Sequence, residues 1–110
     1  MMEDYRINYS AEAMTDLLEI YHYIADKLLV PRIAEKQIAR IRKAVRALCV
    51  LPGRHSLVSW EPWHSIGMHQ VPVDHFIVFY IVDDKRMIVS VVRIFYSGRN
   101  IESIINEEMT

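Results

Sequence analysis

Six side chains in the second half of the chain have the chemistry to act on a charged substrate: His64, His69, His75, Arg93, Tyr96 and Arg99. Imidazole moves protons near neutral pH, guanidinium grips a phosphate or carboxylate with two parallel hydrogen bonds, and a phenol donates or stacks. Converged in one cleft, such a set could cleave a phosphodiester. His69, His75, Arg93, Tyr96 and Arg99 are the candidate site residues. Arg93 also has a structural reading, as the partner of a carboxylate such as Asp74 or Glu102. Arg99 has one too, a capping or surface contact with Glu102. Its loop, Ser97-Gly98-Arg99-Asn100, follows the last strand, and a rigid scaffold often presents function at such a place. Gly98 is expected to turn the backbone there and leave Arg99 free to project. Other chemistries lack their parts. His64 and His69 have no metal-ligand spacing and Cys49 has no cysteine partner, so no metal is expected. With Gly53, Gly67 and Gly98 the only glycines, there is no phosphate-binding loop, and no cofactor is expected.

These residues must be positioned by a hairpin. His75 to Val82 and Met87 to Tyr96 are dense in Val, Ile, Phe and Tyr and flank the polar turn Asp83-Asp84-Lys85-Arg86, the pattern of two antiparallel strands. Their weak in/out alternation marks them as central strands. Arg93 shares the parity of Val89, Val91 and Phe95. A hairpin alone is marginal, so other elements must cover it. Tyr5 to Tyr9 reads as a short strand, and Ser10 as the N-cap of a helix over about residues 11–28, with Met14, Leu17, Leu18, Tyr21, Ile24 and Leu28 on one face. Pro31 opens a second helix whose stripe is Ala34, Ile38, Ile41, Val45 and Leu48, closed by Pro52-Gly53. Arg40, Arg42, Lys43 and Arg46 lie elsewhere on its surface, as a solvated face or a partner-binding one. Residues 54–65 are irregular, with Trp60 and Trp63 as lids on the core edge. Residues 67–73 form a strand, with Pro72 at its end or on an exposed edge. Ile101 to Ile105 is a short closing helix. The order is β-α-α-β-β-β-α, an α+β domain with two antiparallel helices on a small, mostly antiparallel sheet.

The totals agree with one domain over residues 1–110 and a modest core. A net charge of −1 argues against a bulk electrostatic hold on nucleic acid while leaving room for a local basic patch. No run approaches the roughly 18 apolar residues of a membrane span, no signal segment begins the chain, and a single cysteine suits a reducing compartment, so a cytoplasmic protein without a membrane partner is expected. Cys49 reads as a small buried hydrophobe in the tail of the second helix.

The segments YRINYSAEAMTDLLEIYHYI, ALCVLP, the Gly67 strand, FIVFYIVDD and VVRIFYSGRNIESII, in that order and spacing, resemble the RelE/ParE superfamily of toxins from bacterial type II toxin–antitoxin pairs over nearly the whole length. The resemblance implies a growth-inhibiting protein, of the kind that stabilises plasmids, silenced by a cognate antitoxin that lays helices and a strand over its sheet and clefts. Relatives that cut mRNA on the ribosome place lysines along the strand here written Gly67 to Val71 and an arginine early in the next. This chain has Met68, Gln70 and Ile77 at those places, and it lacks the usual stabilisers of transition-state charge. The ending Arg-Ile-Phe-Tyr-Ser-Gly-Arg-Asn is closer to the ParE branch, whose members poison DNA gyrase. The implied function is therefore binding to gyrase or another housekeeping machine. The alternative is ribosome-dependent mRNA cleavage through His69, His75, Arg93, Tyr96 and Arg99, and the choice between DNA gyrase and the ribosome with its mRNA as target stays open, as does a homodimer.

Overall fold

The computed structural model describes residues 4–98. Arg99, the Glu102 contact and the expected helix from Ile101 to Ile105 lie outside the described residues. Strand β1 (Arg6–Tyr9) leads into helix α1 (Ala11–His22). Ser10 caps that helix as its residue type predicts: its Oγ accepts the Ala13 amide at 2.9 Å and donates to the Val92 carbonyl at 2.7 Å. The expected single helix to residue 28 is instead two pieces. From Tyr23 to Lys27 the backbone widens into a π turn, with the Leu28 amide reaching the Tyr23 carbonyl at 3.2 Å. Leu29, at φ 57, then reverses the chain before Pro31, the first residue of α2 (Pro31–Arg46).

Helix α2 buries Ala34, Ile41 and Val45, and Leu48 follows them in a 3₁₀ turn. Ile38 departs from the expected stripe. It is half-buried, and with Met14 and Leu18, both exposed, it borders a shallow apolar cleft between α1 and α2. Trp63–Ile66 forms a short helix α3 where irregular chain is expected, and Gly67 ends it at φ 93, a left-handed conformation that favours glycine. The sheet follows as β2 (Met68–Val73), β3 (Phe76–Asp83) and β4 (Ile88–Tyr96). Its spatial order is β1-β4-β3-β2, antiparallel except for the parallel β1–β4 pair.

Both sheet faces are covered, which is why β3 shows so little polar alternation. Val78, Tyr80, Val89, Val91 and Ile94 pack under α1 and α2. Phe79 and Phe95 pack on the other face with Met68, Val58 and Trp63, and Trp60 flanks them, so both tryptophans act as lids. The register shifts where Phe79 faces Arg93 but Tyr80 faces Val91, which leaves Val92 as an extra residue in β4. This bulge inverts the parity of the strand's second half. Arg93 and Phe95 therefore turn away from the face of Val89 and Val91, contrary to the simple alternation. Since β1 pairs only with Ile88 to Val91, residues 92–96 of β4 run on beyond it.

Candidate functional site

The bulge decides what Arg93 does. Its Nε and one terminal nitrogen donate to the two carboxylate oxygens of Asp16, at 2.8 and 2.9 Å, while the guanidinium lies 4.3 Å over the Phe95 ring. Asp16 also accepts the Ile94 amide at 2.9 Å, which satisfies the backbone of β4 beyond the end of β1. Both side chains are buried. A guanidinium used in this way joins α1 to the sheet, and its fork is occupied by the protein itself. The carboxylate it takes is not Asp74. That residue accepts from Arg40 at 2.7 Å and Gln37 at 2.9 Å, tying the β2–β3 turn to α2. Arg40, then Gln37, hold the Asp74 carboxyl below its usual value.

The two candidate histidines sit at opposite ends of β2. His69 is the second residue of β2 and His75 lies in the turn after Val73, so the four strand steps from His69 to Val73 alone span about 13 Å at the rise of an extended chain. His69 lies flat on Tyr80, with ring centres 5.1 Å apart and planes inclined by 15°. Its Nδ1 donates to the His55 carbonyl at 2.7 Å, so Nε2 is the nitrogen left to act. The phenol of Tyr80 donates to the Pro52 carbonyl at 2.6 Å, and burial pushes its pKa up to about 12. The His55 ring packs edge-on against Tyr80, and burial, with Arg54 and His69 beside it, lowers its pKa. His69 opens onto a cleft of about 380 Å³ whose lining includes Asp4 and Asp84. Two carboxylates there oppose an incoming phosphodiester.

His75 is exposed at the other end, where it borders a much larger groove of about 790 Å³. One wall comes from α1, the π turn and the start of α2, through Ile20, Tyr23, Leu28 and Ile33; the other comes from Phe76, Ile94 and Tyr96 of the sheet. Tyr23, Leu28, Ile33 and Tyr96 are each more than half exposed, a concentration of wet apolar surface that a domain of this size rarely leaves without use. Tyr96 packs edge-on against Phe76. A Cβ on Gly98 would come within 2.7 Å of the Tyr96 ring, so a larger residue there would displace that exposed ring.

The structure thus brings His75 and Tyr96 to one groove, sends His69 to another cleft and buries Arg93. Sequence reasoning missed Asp16, because an acid early in a helix reads as a favourable terminal charge. It also missed His55 and Tyr80, which touch His69, and Arg54 beside His55; the Arg-His pair after Pro52-Gly53 was the available signal. Among the described residues no cluster of three or more metal-ligating side chains occurs.

Two helices laid across a four-stranded, mostly antiparallel sheet are the architecture of the small toxins of bacterial toxin–antitoxin pairs. The chain is similar to a protein of the chromosomal ParDE system of P. aeruginosa (23% identity, 84% of this chain and 95% of that one, TM-score 0.67). It is also similar to a chain of the RelBE2 toxin–antitoxin complex of Mycobacterium tuberculosis (19%, 84% and 98%, TM-score 0.63) and to a free mutant of the E. coli toxin RelE (10%, 97% and 99%, TM-score 0.66). No curated protein matches it. Residues 7–101 match the family described as the ParE toxin of the type II toxin–antitoxin system parDE, and the chain belongs to that family.

Proposed function

We propose that this toxin acts by binding a housekeeping machine of the DNA gyrase kind in the cytoplasm, without catalysis of its own, and that its cognate antitoxin occupies the 790 Å³ groove. The observation that carries the first part is the dispersal of the polar set. Arg93 is locked onto Asp16, while His69 and His75 face different clefts. General acid–base cleavage needs donor, base and charge stabiliser within hydrogen-bond reach of one substrate atom. The second part rests on the shape and chemistry of the groove. An apolar floor and walls between helix and sheet suit an amphipathic helix.

Purified toxin should inhibit gyrase-dependent supercoiling, and His69→Ala should inhibit it equally. Intact gyrase activity in the presence of excess toxin would refute the target class. One observation favours the mRNA-cleaving alternative: His69 is oriented by a carbonyl, with Nε2 available and His55 and Arg54 nearby. Induced expression followed by transcript mapping separates the two readings. Cleaved transcripts that become intact with His69→Ala would establish the nuclease.

A further inference from the structure

Helix α2 carries Arg32, Lys36, Arg40, Arg42, Lys43 and Arg46 against Glu35 alone, a net +5 in a chain whose total is −1. The remainder of the protein therefore carries −6, so the cations are concentrated on one element. Two of the six are engaged locally: Arg40 pairs with Asp74, and Arg42 stacks over Tyr9 at 5.6 Å. The other four are exposed, and the ion pairs among the described residues involve none of them.

At about 100° per residue, Arg32, Lys36, Lys43 and Arg46 fall within an arc of about 80°. They lie opposite the buried Ala34, Ile41 and Val45, so the row forms the outer crest of the helix. The crest is about 21 Å long at the helical rise. Ala39, at its middle, is the small side chain that lets a flat partner lie close. A crest without apolar anchors lacks the buried hot spots that hold a protein partner. Without aromatic side chains it also lacks the platforms on which unpaired bases stack. What remains is a straight row of long cations. A duplex presents a phosphate charge every 1.7 Å or so, roughly twelve over that length.

We propose that the outer crest of α2 is a second interaction surface that binds the phosphate backbone of double-stranded DNA independently of sequence. The groove and the crest lie on different sides of α2, because the groove takes Ile33 and Gln37 from the helix and none of the four crest cations. A partner in the groove and DNA on the crest need not exclude each other. The proposal does not depend on the choice of cellular target.

The test is fluorescence anisotropy of the full-length chain with a labelled mixed-sequence duplex, over salt from about 50 mM upward. About four phosphate contacts predict a slope of log affinity against log salt of about −3 to −4. Lys36→Glu/Lys43→Glu should weaken binding by about tenfold or more at low salt and reduce the slope by about 2, with the circular dichroism spectrum and melting temperature retained. Lys85→Glu, in the β3–β4 turn, reverses a cation away from the crest and should change neither. Absence of duplex binding at low salt, or a slope unaffected by the double reversal, would overturn the proposal. Tighter binding to polyglutamate or to single-stranded RNA than to the duplex would overturn it as well, by assigning the crest to an acidic protein or to unpaired RNA.

Discussion

The two ends of the sheet are finished in opposite ways. At the His69 end, the chain ties its own rings together beside the smaller cleft. Tyr80 is bonded to the Pro52 carbonyl, His69 is stacked on it and bonded to His55, and residues 56–58 run along the edge of β2 through the Val58 amide to the Met68 carbonyl and the Gln70 amide to the Ser56 carbonyl. At the Tyr96 end, α1 stops short in a π turn and β1 ends after four residues. There Tyr23, Leu28, Ile33 and Tyr96 stand with more than half their surface in water. The difference lies in what covers the rings and the apolar side chains at each end. Rings held by hydrogen bonds and stacking rigidify one end, while the other keeps apolar area in water.

The largest effect is expected at the joint between the two. Asp16→Ala leaves the buried Arg93 guanidinium and the Ile94 amide without this carboxylate and should cost about 3–5 kcal/mol, read as a lower urea midpoint. A variant as stable as the parent would mean that Arg93 does not hold α1 to the sheet. On the groove side, Tyr23→Ala/Ile33→Ala should weaken antitoxin binding by about 30-fold or more, since exposed aromatic and aliphatic anchors dominate such interfaces. Its melting temperature should move little, because exposed side chains contribute little to folding. Equal affinity in a titration calorimeter would remove the groove as the docking site.

At the His69 end, Tyr80→Phe should cost about 1–2 kcal/mol for the lost bond to Pro52. The pH dependence sharpens this. Burial raises the folded phenol to about 12 from an ordinary value of 10.0, so the neutral form is the one that folding favours. That contribution is complete below pH 10 and is lost as pH rises toward 12; the Phe variant should not show the loss. The smallest effect belongs to Asp74. Its carboxyl is held below 3.8 by Arg40 and Gln37, so its contribution is present above about pH 4 and fades as pH falls through the depressed folded value. Asp74→Asn tolerates the same left-handed turn at φ 56 and should flatten the acid limb of the stability curve.

What can be read without the structure follows from short-range geometry. Ser10 as a cap, Pro31 as a helix start, the Ala34–Ile41–Val45 stripe and the hairpin around residues 83–86 depend on residues three to four apart or on a period of two, and each is found where these rules put it. The order of the four strands and of α1 and α2 is equally legible, whereas α3 and the π turn are not. The site is not, because its contacts cross the chain. Arg93 meets Asp16 over 77 residues, Tyr80 meets Pro52 over 28, and no local rule ranks Asp16 above Asp74 as the partner. One extra residue in β4 reversed the face that alternation assigned to Arg93, and the length of β2 separated two histidines that composition alone had grouped. Residue types determined which chemistry was conceivable. The packing of α1 against a bulged strand decided which of those groups were already satisfied by the protein and which stayed exposed.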